Sequence, residues 1–312
     1  MVRIGVDVGG TGIKLGVVSD AGQILTKESI PTRIDLPVEE QVNQITDAII
    51  RIASAAGFAP DEIDSVGVGI PGIANPAGVI IKCTNMNWHY IPFAELVHRR
   101  LDVPVFIDND ANVAALAESV AGISKGTSSS VFITIGTGIG SGIILNGRIW
   151  SGAHGIGGEL GHTILDLDGN LCTCGNHGCL ERYCSANALI RIGREAVVNH
   201  PDSAILAAVQ GDPEKVRART IIDAARANDP LAVELYSRYI SYLGQAVANV
   251  VNFLDPEIIV LGGGVSGAGD FLLNPLKKEF TKYVLFNDQP LPRLELAVLG
   301  ADAGIIGAAM LS

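Results

Sequence analysis

Apolar positions change their spacing from segment to segment along the chain, and this pattern predicts strands first and then a helix. The first thirty residues contain short apolar runs of strand length, over residues 3–8, 13–19 and 24–30. Asp20-Ala21-Gly22 is typical of a turn between the last two runs, so we expect an antiparallel meander rather than a β-α-β unit. Residues 38–56 place apolar side chains at helical spacing, with Gly57 just past the end, which predicts a helix.

The same criteria predict the elements of the rest of the chain. Further strands are expected over residues 63–70, 103–107, 131–135, 141–145, 148–150, 258–261 and 294–298. Helices are expected over residues 93–101, 111–121, 186–199, 220–227, 230–253 and 303–311. Asn146-Gly147 indicates a β-hairpin, and residues 151–181 are rich in loop-forming residues. Because a Gly/Thr-rich turn opens each half of the chain, we expect an internal duplication with a cleft between the copies.

The composition favours a folded chain that handles a small molecule. Hydrophobic residues make up 48% and charged residues 18% of the 312 positions, which excludes disorder as the main state. The net charge of -11 repels phosphate backbones and anionic lipids, so we expect neither a nucleic-acid nor a membrane partner. No apolar stretch of about 18 residues occurs and no signal peptide precedes the first strand, so we expect a cytoplasmic protein.

Glycine clusters at the predicted strand ends, where it lets the backbone come close to a ligand. In Asp7-Val8-Gly9-Gly10-Thr11-Gly12-Ile13-Lys14, backbone N–H groups and the Thr11 hydroxyl would hold phosphate oxygens. Asp7 would hold Mg²⁺ through water. An ordinary glycine hairpin with a capping aspartate is the alternative. The second turn, Gly136-Thr137-Gly138, favours the phosphate interpretation because it repeats the first.

Another glycine cluster follows the predicted strand at 258–261. The string Gly262-Gly263-Gly264-Val265-Ser266-Gly267 contains the G-x-G-x-x-G pattern of dinucleotide-binding proteins. A dinucleotide-binding half does not fit into the roughly 50 residues that follow, so we reject that interpretation. We expect the three glycines to contact an adenine or a ribose, and a plain tight turn remains open.

Three of the five cysteines lie within eight residues, which indicates a metal site rather than a disulfide framework. Three thiolates and one imidazole make a full tetrahedral set, as in closed structural zinc sites. The candidate ligands are His162, Cys172, Cys174 and Cys179. Free thiols in a loop are the alternative, and His177 competes with His162 as the imidazole ligand. Cys83 and Cys184 are expected to be small buried hydrophobic residues.

Carboxylates occur at two further places where a strand or a loop would present them. Asp108-Asn109-Asp110 stands where a predicted strand becomes a helix, so Asp110 would lie at the positive helix end and act as general base toward a hydroxyl. Helix capping is the alternative for this string. Glu159 and Glu181 flank the candidate zinc loop, and carboxylates on a rigid loop suit sugar hydroxyls. Surface acids are the alternative for both.

Together these strings resemble the ROK family, which groups bacterial sugar kinases with related repressors, and the resemblance covers essentially the whole chain. Asp7-Val8-Gly9-Gly10-Thr11 is similar to the family's first phosphate motif. The string from Ile135-Gly136-Thr137-Gly138 through Gly147-Arg148 and Gly152 to Gly161 looks like the family signature. Cys172-Thr173-Cys174-Gly175-Asn176-His177-Gly178-Cys179-Leu180-Glu181 matches its zinc motif at every defined position. Asn85-Met86-Asn87-Trp88 departs from the more apolar Asn-Leu-x-x-Trp string of the family.

The resemblance implies an α/β fold of two domains around an interdomain cleft, the actin-like ATPase (ribonuclease H-like) fold shared with hexokinases. It implies a small N-terminal domain over residues 1–121, with the C-terminal helix near residues 300–312 packed back onto it. A larger domain would span residues 122–299 and carry the zinc loop 151–181. A homodimer is also expected.

The resemblance implies ATP-dependent phosphoryl transfer, with Mg²⁺ and structural Zn²⁺, to the 6-hydroxyl of a hexose. Asp110 matches the family's catalytic base. The positions that match sugar ligands are Gly72, Asn85, Asn109, Asp110, Glu159, His162 and Glu181. The positions expected at the nucleotide are Asp7, Gly9, Gly10, Thr11, Lys14, Gly136, Thr137, Gly138, Gly262, Gly263 and Gly264.

The loop Gly157-Gly158-Glu159-Leu160-Gly161-His162 looks most like that of the family's glucokinases, so glucose is the expected substrate in carbohydrate metabolism, within glycolysis. Kinases of N-acetylmannosamine share much of this loop, so that sugar, N-acetylglucosamine and other hexoses remain alternatives. The second hypothesis is a sugar-sensing regulator of the same family, which would need a DNA-reading helix-turn-helix ahead of Asp7. Only six residues stand there and the net charge is -11, so this hypothesis is disfavoured. The third hypothesis is a cytoskeletal or chaperone-type ATPase of the same broad fold, and the zinc motif and the acid-rich sugar loop argue against it.

Overall fold

The computed structural model describes residues 2–312, which form two compact units. The first unit comprises residues 2–132, Gly142–Gly158 and Val298–Ser312. The second comprises Ile133–Ser141 and Glu159–Ala297. The domain boundaries near residues 121 and 299 stay a prediction.

The strands confirm most of the predicted pattern. In chain order they are β1 (Val2–Val8), β2 (Gly12–Val18), β3 (Ile24–Pro31), β4 (Ile63–Ile70), β5 (Gly72–Ala74), β6 (Ile80–Cys83), β7 (Trp88–Ile91), β8 (Val105–Asn109), β9 (Ser129–Ile135), β10 (Ile139–Leu145), β11 (Arg148–Ile149), β12 (Ile258–Gly262) and β13 (Arg293–Leu296).

Most of the helices likewise follow the predicted periodicity. The helices are α1 (Val38–Ala55), α2 (Phe93–His98), α3 (Asp110–Ala121), α4 (Glu181–Cys184), α5 (Ala186–Val197), α6 (Ala204–Ala208), α7 (Ala218–Arg226), α8 (Pro230–Leu254), α9 (Asp270–Glu279) and α10 (Ala303–Ala309). Of these, α4, α6 and α9 were not predicted. Within residues 2–312, no helix is both long and apolar enough to cross a membrane.

One sheet has the strand order β3-β2-β1-β4-β8, and it carries the candidate residues of the first unit. The pairs β1-β2 and β2-β3 are antiparallel, as predicted for the meander, whereas β1-β4 and β4-β8 are parallel. Helix α10 packs on this sheet because Gly5 and Gly67 leave room for it. A Cβ atom at either position would overlap a carbonyl oxygen of α10, that of Ile305 or that of Ala308.

Helix α1 and the small sheet complete the core of the first unit. Buried side chains of α1, among them Val42, Ile45 and Ile49, pack with those of β1, β2 and β4. The buried Trp88 indole donates to Gln41 Oε1 at 3.0 Å, which joins β7 to α1. Cys83 is fully buried in this core, as expected.

The three-stranded sheet β5-β6-β7 was not predicted. Its strands are only three or four residues long, so they are too short to show the alternation by which a half-buried strand is detected. Helix α9 was also missed, because Pro275 stands inside it and interrupts the pattern of a helix. The predicted strand 103–107 instead ends at Asn109, since Asp108 and Asn109 pair with Gly69 and Ile70 of β4.

The other five-stranded sheet has the order β11-β10-β9-β12-β13. In the second unit, β12 and β13 pair in parallel, and every residue of β12 is buried. Helix α8 contributes a buried stripe, and the hydroxyl of its buried Tyr239 donates to the carbonyl oxygen of Cys184 at 2.8 Å. Cys184 is fully buried, as expected.

Candidate active site

In the first unit, the turn between β1 and β2 is held in shape by its own backbone. The N–H of Gly9 donates to Gly12 O at 3.1 Å, and the Thr32 hydroxyl donates to Gly9 O at 2.7 Å. Gly10 and Thr11 are exposed at the tip. The turn therefore presents exposed backbone and one hydroxyl on a fixed frame, as the phosphate interpretation requires.

Asp7 stands at the end of β1 beside this turn, opposite Lys14 in the register of β1 and β2. Burial raises the pKa of the Asp7 carboxyl, and Lys14 opposes the shift with its Nζ 3.5 Å from Asp7 Oδ2. A partly desolvated carboxylate gains from a cation nearby, so this position fits a hydrated Mg²⁺ that is shared with phosphates.

The corner between β8 and α3 is a capped helix start. Asn109 is the N-cap residue, and its Oδ1 accepts the N–H of Ala111 at 2.9 Å. Asp110, the first helical residue, is exposed, and its Oδ1 also accepts that N–H at 2.9 Å. Asn109 therefore caps α3, and Asp110 presents a carboxylate at the positive helix end. The substrate roles of both residues stay predictions.

Asp108 fixes the backbone of this corner. Its Oδ1 accepts the N–H of Asn109 at 2.7 Å and the amide of the buried Asn112 at 2.8 Å. Burial raises the pKa of the Asp108 carboxyl, and the two hydrogen bonds oppose that shift. Asp108 thus holds the backbone of Asn109 in place.

Gly72 and Asn85, both predicted to bind the sugar, lie at different places in the first unit. Asn109 Nδ2 donates to Gly72 O at 3.3 Å, so strand β5 joins the corner. Asn85 lies in a short 3-10 turn, and its Nδ2 would lie 3.4 Å from a Cβ atom at Gly10. Asn85 is therefore next to the turn between β1 and β2, and Gly72 is next to the Asp108-Asn109-Asp110 corner.

A cavity of about 460 Å³ adjoins the corner between β8 and α3. The sequence did not predict a cavity at this place. Gly72, Asp108 and Asn109 line it, together with residues 73–76 and 151–155. Gly152 and Gly155 have positive φ values of 76° and 70°, which bend the 151–155 loop around this cavity. The glycine pattern of that loop was the signal in the sequence that could have located it.

In the second unit, the turn between β9 and β10 closes on itself. The N–H of Gly136 donates to Gly138 O at 3.0 Å, and the N–H of Ala186 donates to Gly136 O at 2.8 Å. Glu181 Oε2 accepts the N–H of Ile139 at 2.9 Å. Glu181, expected at a sugar, therefore contacts the turn between β9 and β10, and Thr137 is exposed at the tip of this turn.

The Gly262-Gly263-Gly264 string lies against the end of β9. Gly263 has a φ of 84°, and a Cβ atom there would lie 2.6 Å from Ile135 O. Gly263 therefore forms a tight turn that requires glycine, and its contact with a nucleotide stays a prediction. Gly264 is exposed and has open space around its Cα atom, so it stays a predicted nucleotide contact.

His162, Cys172, Cys174 and Cys179 form one cluster, with their ligand atoms all within 4.8 Å of one another. Cys174 Sγ lies 3.6 Å from Cys179 Sγ, and Cys172 Sγ lies 3.7 Å from His162 Nδ1. Zn–S bonds of about 2.3 Å and Zn–N bonds of about 2.0 Å at tetrahedral angles need separations of this size. The donor set and its geometry therefore fit zinc.

Two further observations concern the groups of this cluster that would bind zinc. His177 Nδ1 is 3.1 Å from Gly169 O, so His162 rather than His177 joins the thiols. Burial raises the pKa of the Cys179 thiol to about 12, and the neighbouring thiols add to the shift. A bound cation would favour the thiolate form of Cys179 instead.

Glu159 precedes the 3-10 turn Leu160–His162, which places it three residues before the imidazole of the cluster. The turn is anchored by the N–H of Leu160, which donates to Ser141 Oγ at 3.2 Å. Glu159 is exposed. The second unit thus places Glu159, His162 and Glu181 on segments fixed by the cysteine cluster and by β10.

Comparison with known proteins gives consistent matches along the whole chain. The sequence profile of the ROK family matches residues 3–312. A glucokinase of Halalkalibacterium halodurans is 39% identical over 307 residues, which cover 97% of this chain and 92% of that protein. A glucokinase of Thermotoga maritima is 36% identical over 308 residues, covering 98% and 95%.

Solved structures agree with these sequence matches. The crystal structure of a ROK family glucokinase from Streptomyces griseus in complex with glucose and AMPPNP superposes with a TM-score of 0.81. Its sequence is 32% identical, and the match covers 99% of this chain and 98% of that one. The predicted fold class is therefore confirmed.

Proposed function

Because the chain belongs to the ROK family, we propose that it transfers the γ-phosphoryl group of ATP to the 6-hydroxyl of glucose. The observation that carries the proposal is the match, over nearly the full length of both chains, with a glucokinase whose structure holds glucose and AMPPNP. The geometry of the two units supports it residue by residue.

The nucleotide is assigned to the glycine turns. Gly9, Gly10 and Thr11 in one unit and Gly136, Thr137 and Gly138 in the other would hold phosphate oxygens through backbone N–H groups and hydroxyls. Gly262, Gly263 and Gly264 would contact the nucleoside. Asp7 would hold Mg²⁺ through water, with Lys14 beside it, and the ion would neutralise charge on the phosphates.

Asp110 is assigned as general base. Its carboxylate is exposed at the start of α3, where the helix dipole favours negative charge. It would accept the proton of the sugar hydroxyl as that oxygen attacks the γ-phosphorus in line. The capping of α3 by Asn109 fixes where this carboxylate stands.

The sugar hydroxyls are assigned to the remaining polar groups. Gly72, Asn85 and Asn109 would bind in the first unit, and Glu159, His162 and Glu181 in the second. His162 directs Nδ1 toward the thiols, so Nε2 is the nitrogen that would hydrogen-bond a hydroxyl. Zinc would act structurally by fixing the loop that carries these residues.

We expect the purified protein to carry a single zinc ion per chain, held by His162 and not by His177. Replacing His162 with alanine removes a ligand from the cluster, so zinc content measured by mass spectrometry after dialysis should fall to a small fraction. The matched variant His177→Ala should keep its zinc, because His177 bonds a carbonyl oxygen instead. Zinc lost from His177→Ala and kept in His162→Ala would contradict this assignment.

The substrate is tested by ADP release with MgATP and a panel of sugars: glucose, mannose, allose, fructose, N-acetylglucosamine and N-acetylmannosamine. We expect the highest kcat/KM with glucose and little ADP release without sugar, because closure around a sugar excludes water as acceptor. A preference for an N-acetylated sugar would replace glucose and keep the mechanism. ADP release that is independent of every sugar would contradict the kinase assignment.

A homodimer forms part of this proposal and is supported by the family resemblance. Light scattering coupled to size exclusion tests it directly, with twice the chain mass expected. A mass of one chain across the working concentration range would exclude it.

A further inference from the structure

We infer that Glu181 is a positioning residue for the nucleotide: its carboxylate braces the second phosphate turn, Gly136-Thr137-Gly138. This inference rests on the proposed function, since it requires that turn to bind phosphate. It adds a role that is separate from the expected contact of Glu181 with a sugar.

The brace is a specific hydrogen bond at the point where the turn becomes β10. Glu181 Oε2 accepts the N–H of Ile139 at 2.9 Å, and Ile139 is buried. A buried N–H group without an acceptor is unfavourable, so the turn is stabilised in this shape when the carboxylate is present. The residue that makes the contact lies 42 positions away in the chain.

A second contact from the same segment holds the other end of the turn. The N–H of Ala186 donates to Gly136 O at 2.8 Å, while Gly136 N–H donates to Gly138 O at 3.0 Å. Residues 181–186 therefore clamp the turn on both sides. A preformed turn binds phosphate more tightly than a mobile one, because less conformational entropy is lost on binding.

Gly138 and Glu181 are matched to each other sterically. A Cβ atom at Gly138 would overlap Glu181 Oε2, so the carboxylate reaches Ile139 only because position 138 has no side chain. The φ of Gly138 is not positive, so its backbone conformation does not itself require glycine. The glycine is explained by the space that the carboxylate occupies.

The test is the dissociation constant of MgATP measured calorimetrically without sugar on the zinc-loaded protein. Glu181→Ala removes the brace, and we expect about tenfold weaker binding. Glu181→Gln keeps an oxygen that accepts the Ile139 N–H, so its affinity should stay within about twofold of the unchanged protein. Glu195→Ala is the matched control, because Glu195 is an exposed residue of α5 in the same unit that pairs with Arg191.

In turnover assays, Glu181→Ala should show a raised KM for MgATP. Glu181→Gln should keep the KM for MgATP of the unchanged protein. A residue that only contacts the sugar would change the KM for glucose in both variants and leave MgATP binding without sugar unaltered. If Glu181→Ala binds MgATP within twofold of the unchanged protein, the inference is overturned but the proposed function is not. Absence of MgATP binding by the unchanged protein overturns the proposed function and the inference with it.

Gly138→Ala supplies an independent variant in case Glu181→Ala does not fold, which circular dichroism and zinc content would reveal. The added methyl group displaces the carboxylate, so we expect weaker MgATP binding from Gly138→Ala. In the Glu181→Ala background, Gly138→Ala should weaken MgATP binding much less than it does in the unchanged protein, because the added methyl group no longer overlaps a carboxylate. If Gly138→Ala weakens MgATP binding equally in the unchanged protein and in Glu181→Ala, the inference is overturned.

Discussion

Replacing Asp110 with asparagine should lower kcat for glucose phosphorylation about a thousandfold, the size of effect typical for loss of a general base. An asparagine still accepts the Ala111 N–H and suits the first helical turn, so the corner keeps its shape. What is lost is the group that takes the proton of the attacking hydroxyl. The measurement is kcat under saturating glucose and MgATP, with binding of both checked separately.

The matched control is Asp61→Asn, an exposed aspartate at the start of a short 3-10 helix in the same unit. That variant should keep the kcat of the unchanged protein. If Asp110→Asn also kept kcat within a factor of about three while folding normally, Asp110 would not be the base.

Glu118→Ala should destabilise the first unit by about 3–5 kcal/mol, the largest stability effect that we expect from a single polar side chain. Glu118 is fully buried in α3 and accepts three backbone N–H groups. Oε1 accepts those of Val298 at 2.9 Å and Leu299 at 3.0 Å, and Oε2 accepts that of Ile123 at 2.9 Å. Truncation leaves three donors without a partner where the chain re-enters the first unit.

Urea denaturation followed by circular dichroism measures this effect. The free energy of unfolding of Glu118→Gln should lie between those of Glu118→Ala and the unchanged protein. The amide oxygen of glutamine can accept two of the N–H groups, whereas its NH₂ group faces the third. Glu195→Ala, on an exposed surface, should change the free energy of unfolding by less than about 0.5 kcal/mol. A Glu118→Ala variant within about 1 kcal/mol of the unchanged protein would contradict the role assigned to these contacts.

Features with a local chemical signal were predictable from the sequence. The strands and helices with clear periodicity appear where expected, and the cysteine cluster could be identified from spacing alone. The choice between His162 and His177 could not be made that way. It depends on the turn that directs His177 toward the carbonyl oxygen of Gly169, a contact that no spacing encodes.

Contacts between distant positions were the part that the sequence did not reveal. Glu181 and Ile139 are 42 positions apart, and Glu118 and Val298 are 180 apart, so no local pattern connects them. The small sheet β5-β6-β7 was missed for a related reason. Its short strands are specified by pairing with one another rather than by alternation along each strand.

The most direct test of the account is the fate of the γ-phosphoryl group of labelled MgATP in the presence and absence of glucose. The account predicts that the label appears on the 6-hydroxyl of glucose, that little reaches inorganic phosphate, and that Asp110→Asn slows the transfer about a thousandfold. Label released to inorganic phosphate at the same rate with and without sugar would contradict it.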